Sequence, residues 1–60
     1  MEFGEYKHLK TGNIYNVLVE TTAINSTNAQ DGQVMVLYEN KDGKLFVREI
    51  TEFNEKFEKV

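Results

Sequence analysis

Apolar and polar positions alternate most clearly between residues 33 and 50, where two apolar runs flank a polar turn. The runs at 34–38 and 45–47 have the length of strands, and they contain the β-branched and aromatic residues that strands favour. The Asn-Lys-Asp-Gly segment at 40–43 is typical of a type I turn followed by a G1 bulge, because Asn bonds the backbone two residues on and Gly adopts a positive φ. The pattern therefore predicts a β-hairpin.

The turn also predicts the register of the hairpin, with Tyr38 opposite Phe46. Since side chains alternate between the faces of a strand, this register divides the hairpin into two sets. The purely aliphatic set is predicted to be the core, and it consists of Met35, Leu37, Leu45 and Val47. The other set mixes aromatic rings with a cation and is predicted to be an amphipathic, functional face, and it consists of Val36, Tyr38, Phe46 and Arg48.

The segments before the hairpin carry weaker patterns. Residues 1–10 fit neither period well and predict a short irregular strand or an arm, followed by a turn at 11–13. Residues 14–24 predict a second strand, and the apolar residues on both of its faces near Leu18 are typical of a bent strand shared by two sheets. Residues 25–32 are polar and predict a solvated loop.

The C-terminal segment allows two interpretations. Apolar residues at 50, 53, 57 and 60 have helical spacing. Alternatively, residues 51–53 form a single 3₁₀ turn that is followed by a closing strand with Phe57 inward. Either way, four to five short antiparallel strands with one helical turn predict a mainly β fold in one domain over residues 1–60, a small closed or half-open barrel, because closing a sheet removes its strand edges.

Composition narrows the classes of function. The chain of 60 residues has no cysteine, one histidine and a net charge of −3. A disulfide and a thiol or multi-histidine metal site are therefore excluded, and an acidic chain disfavours nucleic acid and anionic membranes as partners. A chain this short has a small core, so self-association is an option. Without a signal peptide or an apolar transmembrane run, we expect a cytoplasmic location.

Catalytic motifs are missing from the sequence. The only serine, Ser26, lies in the polar loop without a surrounding motif. A row of carboxylates with lysines among them is interpreted as a solvated helix face: Glu49, Glu52, Glu55 and Glu58. We therefore expect no enzyme, no cofactor and no metal site.

The candidate binding residues are two side chains with nitrogen donors, Arg48 and His8, and the aromatic residues near them. Arg48 is either half of a structural salt bridge, with Glu20 or Glu39, or a planar fork for a carboxylate or phosphate. His8 is either a structural residue that hydrogen-bonds backbone or a recognition residue beside Arg48. Aromatic residues next to arginine are favoured in binding sites. The predicted binding residues are Tyr6, His8, Lys10, Tyr38, Phe46 and Arg48.

Residues 4–10 and 12–18 resemble the opening of a family of short bacterial and phage proteins with an SH3-like domain of unknown function. Members begin with Tyr-Arg/Lys-His-x-Lys-Gly and x-x-Tyr-x-Val, and continue with Val-Val-Tyr, an aromatic-Val-Arg-Pro segment and a Phe. The corresponding parts here are 36–38, 46–48 and Phe53. The chain departs from this pattern by an extra Thr11, by Phe46 in place of tryptophan and by Glu49 in place of proline. The resemblance implies an SH3-like barrel and no established activity.

Two functional hypotheses follow. The first is a non-enzymatic interaction module that binds a protein partner through the aromatic and Arg48 surface, alone or as a homo-oligomer. The alternative is a phage-type inhibitor that sequesters a nucleotide or another anionic small molecule, with His8, Lys10 and Arg48 in a pocket between subunits. The occurrence of the family in phages motivates the second. Binding of single-stranded nucleic acid ranks last because the chain is acidic.

Overall fold

A computed structural model describes residues 3–21 and 33–60, which form five strands and one helix. In chain order these are β1 (Gly4–His8), β2 (Ile14–Thr21), β3 (Met35–Glu39), β4 (Leu45–Glu49), α1 (Ile50–Lys56) and β5 (Phe57–Lys59). The strands make one antiparallel sheet in the order β4-β3-β2-β1-β5. The predicted polar loop at 25–32, with Ser26, and the predicted end of the second strand beyond residue 21 lie outside the described residues.

The sheet is not closed into a barrel, so the closed form of the predicted barrel is wrong, whereas the mainly β antiparallel fold with a short C-terminal helix is confirmed. Strands β4 and β5 lie at opposite edges of the sheet and are joined directly by α1. A helix of seven residues is only about 10 Å long. Five flat strands would be about 19 Å across at the usual spacing. The sheet must therefore curl around α1. The helix covers the concave face of the curled sheet.

The core between helix and sheet is largely aromatic. Phe53, the one buried residue of α1, stacks on Phe57 with ring centroids 4.2 Å apart. Tyr6 and Tyr38 each present a ring edge to Phe53 at 5.2 Å. Two smaller side chains complete the core cluster, Val17 and Val36. Edge-to-face and offset-stacked pairs are the arrangements that aromatic quadrupoles favour, so the geometry as well as the buried area stabilises this core.

The hairpin has the predicted register and turn. Tyr38 pairs with Phe46. The Gly43 N–H donates to the Asn40 carbonyl at 3.1 Å, and Gly43 has the positive φ of 81° that the bulge requires. The Asn40 side chain accepts from the Asp42 N–H at 2.9 Å, as expected for an asparagine that opens a turn.

The predicted core face of the hairpin, however, is wrong. Leu45 and Val47 are 58% and 40% exposed, Leu37 is half-buried, and only Met35 is fully inside. The opposite face is covered instead, because the chain leaves β4 for α1 on the side that carries Val36. Alternation identifies two faces but does not say which of them the next element will cover.

The structure also answers the questions that the sequence left open for the N-terminal segment, for the second strand and for the C-terminal segment. The N-terminal segment is a regular strand, β1, that lies between β2 and β5. Strand β2 has a register shift between Val17 and Val19, which agrees with the predicted bend, although the strand serves one sheet. The C-terminal segment combines both interpretations, since the helix ends at Lys56 and Phe57 begins a strand with its ring inward.

Candidate functional site

The six residues predicted as binding residues divide into two groups. Tyr6 and Tyr38 belong to the core, with 6% and 3% of their surface exposed. Phe46 is half-buried and stacks on Tyr38 with centroids 5.5 Å apart. The three nitrogen-bearing residues instead line a single surface groove, and these are His8, Lys10 and Arg48. The aromatic rings therefore support the site, whereas the nitrogen-bearing side chains face solvent.

This basic groove has a volume of about 420 Å³ and is built from three parts of the chain. Its lining consists of His8, Leu9, Lys10, Arg48, Glu55 and Lys56. The Leu9 N–H donates to the Lys56 carbonyl at 2.9 Å, which ties the turn after β1 to the end of α1. The groove thus exists because α1 crosses the sheet and brings β4 close to the first turn of the chain.

Arg48 is held on two sides. Its Nε donates to the Tyr38 hydroxyl at 3.3 Å, and its Nη1 donates to the Glu52 carboxylate. The hydrogen bond to Tyr38 raises the pKa of the Arg48 guanidinium, and the Glu52 carboxylate raises it further. The salt bridge expected from the sequence is present, but its partner is Glu52 rather than Glu20 or Glu39. These bonds fix the guanidinium plane at the mouth of the groove.

His8 is oriented by the turn that follows it. Its Nδ1 lies 3.0 Å from the Thr11 hydroxyl oxygen and accepts the Thr11 N–H at 3.3 Å. Its ring stands edge-on to Phe57 at 4.9 Å. Because Nδ1 acts as an acceptor here, the ring proton lies on Nε2, which is the atom that can donate to a ligand. Thr11, the residue that is extra relative to the resembled pattern, thus has a structural role in positioning His8.

The groove is locally basic in an acidic chain. Lys10, Arg48 and Lys56 supply cations, whereas Glu55 supplies the carboxylate in the lining. Glu52, just outside it, is shared by Arg48 and by Lys56, whose Nζ lies 3.7 Å from the same oxygen. Such a set of donors suits charge-assisted hydrogen bonds to phosphate or carboxylate oxygens. Among the described residues, no group of histidine and acidic side chains could hold a metal ion.

A second depression, of about 320 Å³, lies between the two turns of the sheet. Its lining includes Tyr15, and it carries one cation and one carboxylate, Lys41 and Asp42. These charges offset each other, and Arg48 is not part of the lining. The basic groove is therefore the stronger candidate.

Lys56 is the groove cation that the sequence does not single out, because its spacing among carboxylates is typical of a solvated helix face. The spacing held a usable signal. Arg48, Glu52 and Lys56 follow one another at intervals of four, and the structure shows Glu52 bridging the other two. Once a helix is placed from residue 50, the interval of four puts Glu52 and Lys56 on one helical face, and Arg48 precedes that helix by two residues.

Fold and site together define a small open-sheet β protein with one crossing helix and a basic surface groove. The chain belongs to the family described as protein of unknown function (DUF1653), whose model matches residues 4–60. No curated protein and no solved structure matches the chain. In the part of the chain that the structure describes, no helix is long and apolar enough to cross a membrane.

Proposed function

We propose that this protein is a non-catalytic binding module that takes an anionic group in the basic groove. The observation that carries the proposal is the convergence of four nitrogen-bearing side chains from separate segments: His8, Lys10, Arg48 and Lys56. They meet in a chain whose net charge is −3. A volume of about 420 Å³ lies inside the range of roughly 300–1,000 Å³ that is usual for small-molecule sites.

The ligand class that fits best is a small molecule with a phosphate group, such as a nucleotide. Arg48 and the two lysines supply charged donors for phosphate oxygens, and His8 can add Nε2–H. Leu9, which is half exposed in the same lining, offers an apolar contact for a base or a similar ring. The occurrence of the resembled family in phages motivates a role in sequestering such a ligand.

Binding of a protein partner is the second candidate. It is favoured by Phe46 and Arg48, which keep part of their surface exposed, and by Lys44, whose Nζ lies 5.6 Å from the centre of the Phe46 ring. Tyr6 and Tyr38 would support such a surface from within and would not contact the partner directly. An acidic peptide would meet the same cations as a phosphate, so one experiment can separate the two classes.

The experiment is a thermal-shift panel of inorganic phosphate, pyrophosphate, nucleotides and an acidic peptide, each compared with sodium chloride at matched ionic strength. A ligand at one hundred times its dissociation constant adds about 2.7 kcal/mol to the free energy of unfolding. We expect Lys10→Gln to remove the stabilisation by nucleotides. Lys41→Gln is the matched control, because it removes an exposed lysine from the other depression.

The results separate the candidates. Stabilisation by nucleotides that Lys10→Gln removes and Lys41→Gln leaves intact supports the proposal. Stabilisation by the acidic peptide alone favours the protein partner. If every anion acts no better than chloride, or if Lys41→Gln has the same effect as Lys10→Gln, the basic groove is not an anion site.

A further inference from the structure

Strand β4 lies at one edge of the sheet, and no strand within residues 3–21 and 33–60 pairs with its outer side. The Ile50 N–H donates to the Val34 carbonyl at 3.0 Å, and the Asn40 N–H donates to the Lys44 carbonyl at 3.0 Å. Because hydrogen-bonded pairs alternate in an antiparallel ladder, these bonds direct the groups of even-numbered residues toward β3. The backbone groups of Leu45, Val47 and Glu49 therefore point outward.

This edge lacks the features that usually protect an edge strand. Native edges carry proline, a bulge or outward charges. The chain has no proline, and the β3–β4 register runs without a shift from residue 45 to residue 49. The charge in mid-strand, Arg48, is bonded to Glu52. The opposite edge strand, β5, differs because it has only three residues, and two of them are charged, Glu58 and Lys59.

We propose that two copies of this protein pair through β4 in an antiparallel arrangement, with the two-fold axis at Val47. This register sets Val47 against Val47 of the second copy, and Leu45 against Glu49. The outward-pointing groups are those of the same residues, so the two Val47 residues can exchange both N–H···O bonds, and the Glu49 N–H of each copy can donate to the Leu45 carbonyl of the other. The Leu45 N–H would share the Glu49 carbonyl, which already accepts the first helical bond because Glu49 is the N-cap of α1. A two-fold interface uses the same surface patch on both subunits, so the patch must pair with its own copy. The outer edge of β4 meets this requirement in the antiparallel arrangement.

The charged residues of β4 favour this register over those whose two-fold axis lies one residue away. An axis at Phe46 would place Arg48 directly opposite Lys44 of the second copy, and an axis at Arg48 would place two arginines opposite each other. Like charges in directly opposite positions destabilise a strand pair. The axis at Val47 places Arg48 opposite Phe46, a pairing of a guanidinium with an aromatic ring that is favourable.

The outer face of the sheet gives a second reason for the pairing. Val19, Leu37 and Val47 lie side by side on neighbouring strands, and the two valines are 38% and 40% exposed. In the paired arrangement this apolar row continues into the row of the second copy. The pair therefore shields Val47, which lies at the end of the row in one copy alone. The inference needs no ligand in the basic groove, although Arg48 belongs both to that groove and to β4.

The test is sedimentation velocity over a wide range of protein concentration, together with amide exchange measured by NMR. We expect a concentration-dependent dimer in which the amides of Leu45, Val47 and Glu49 become slower to exchange as the dimer forms. The amide of Arg48, which already faces β3, should change little. Val47→Lys should abolish the dimer, because it places two like charges at the axis. Val19→Lys is the matched control, with similar exposure on the same face two strands away.

Three results would overturn the proposal. The first is a protein that stays monomeric at every concentration. The second is loss of the dimer in Val19→Lys as well as Val47→Lys, which indicates stacking of sheet faces. The third is concentration-dependent protection in β5 instead of β4. The exchange measurement uses the unmodified protein, so the proposal stays testable even if Val47→Lys fails to fold.

Discussion

Replacing Tyr38 by phenylalanine tests how Arg48 is held. The ring of Tyr38 is buried, so phenylalanine keeps its packing against Phe53 and Phe57. What the substitution removes is the hydroxyl that accepts from Arg48 Nε at 3.3 Å. The change therefore isolates one hydrogen bond between the core and the basic groove.

The size of the effect follows from the geometry. A hydrogen bond to a charged group contributes about 1.5–3 kcal/mol. The N···O distance here is longer than the usual ~2.9 Å. The Arg48 side chain is also 29% exposed, so water can replace part of the lost bond. We therefore expect a loss of about 1 kcal/mol in the free energy of unfolding, below the lower end of that range. In a domain of this size the loss corresponds to a fall in Tm of roughly 4–8 °C.

The assay is thermal unfolding of Tyr38→Phe beside Tyr15→Phe. Tyr15 is half-buried in the same aromatic cluster, with its ring 5.5 Å from that of Tyr38, so it controls for loss of a hydroxyl. We also expect the Arg48 Nε–H resonance to exchange faster with water in Tyr38→Phe. If the two variants lose the same stability and the Nε–H signal is unchanged, Tyr38 does not hold Arg48 in place.

Three further predictions concern stability. Phe53→Ala should lower the free energy of unfolding by about 3–5 kcal/mol, because Phe53 is fully buried. That loss is a large part of the roughly 3–9 kcal/mol expected of a domain this size. A circular dichroism spectrum of a folded protein at ambient temperature would argue against Phe53 as the centre of the core. Hydrogen bonds from the backbone N–H groups of Thr51 and then Glu52 lower the pKa of the Glu49 carboxyl. The stability that the Glu49 carboxylate adds to the fold is therefore complete above its ordinary pKa of 4.5, and it is lost as the pH falls through the lower pKa of the folded state. Urea unfolding should therefore show Glu49→Gln less stable than the parent at neutral pH and equal to it in strong acid, and a difference that does not depend on pH would contradict the cap. Gly43→Ala should cost about 1 kcal/mol because Gly43 has a φ of 81°, although an added methyl group would meet no atom within 4 Å; an unchanged urea midpoint would show that the turn can relax.

The hairpin shows which part of the fold the sequence could predict. Its register follows from local rules, since the turn at 40–43 leaves few ways to pair the strands. The choice of buried face does not follow, because it depends on where α1 goes after Glu49. The face with two rings and a cation looked amphipathic, yet Tyr38 is buried with its hydroxyl bonded to Arg48. The ring of Tyr38 belongs to the core that α1 covers, and its hydroxyl at the boundary accepts a hydrogen bond from Arg48.

The candidate site was predictable only in part, for a related reason. His8, Lys10 and Arg48 were selected as chemically able residues, and the structure places all three in one groove. Their proximity depends on the crossing of α1 and on the bond between the Leu9 N–H and the Lys56 carbonyl. Both are tertiary features that join distant parts of the chain, and no local period carries them. Lys56 was missed because its role depends on the same crossing.

The pairing of β1 with β5 has a consequence for how the protein is made. It joins the first described strand to the last, with Tyr6 opposite Lys59 and the Val60 N–H donating to the Glu5 carbonyl at 3.1 Å. A ribosome releases β1, β2 and the hairpin before β5 has left the exit tunnel. Until then one edge of β1 has no partner and the place of Phe57 in the aromatic core is vacant.

The native state therefore depends on the last described strand. Contacts between distant parts of a chain slow folding, because loop entropy is lost before the contacts form. In this protein such a contact also completes the core, since Phe57 stacks on Phe53. Chains that end before residue 57 should consequently stay sensitive to proteases, and protection should arise in one step when residues 57–60 are added, rather than strand by strand.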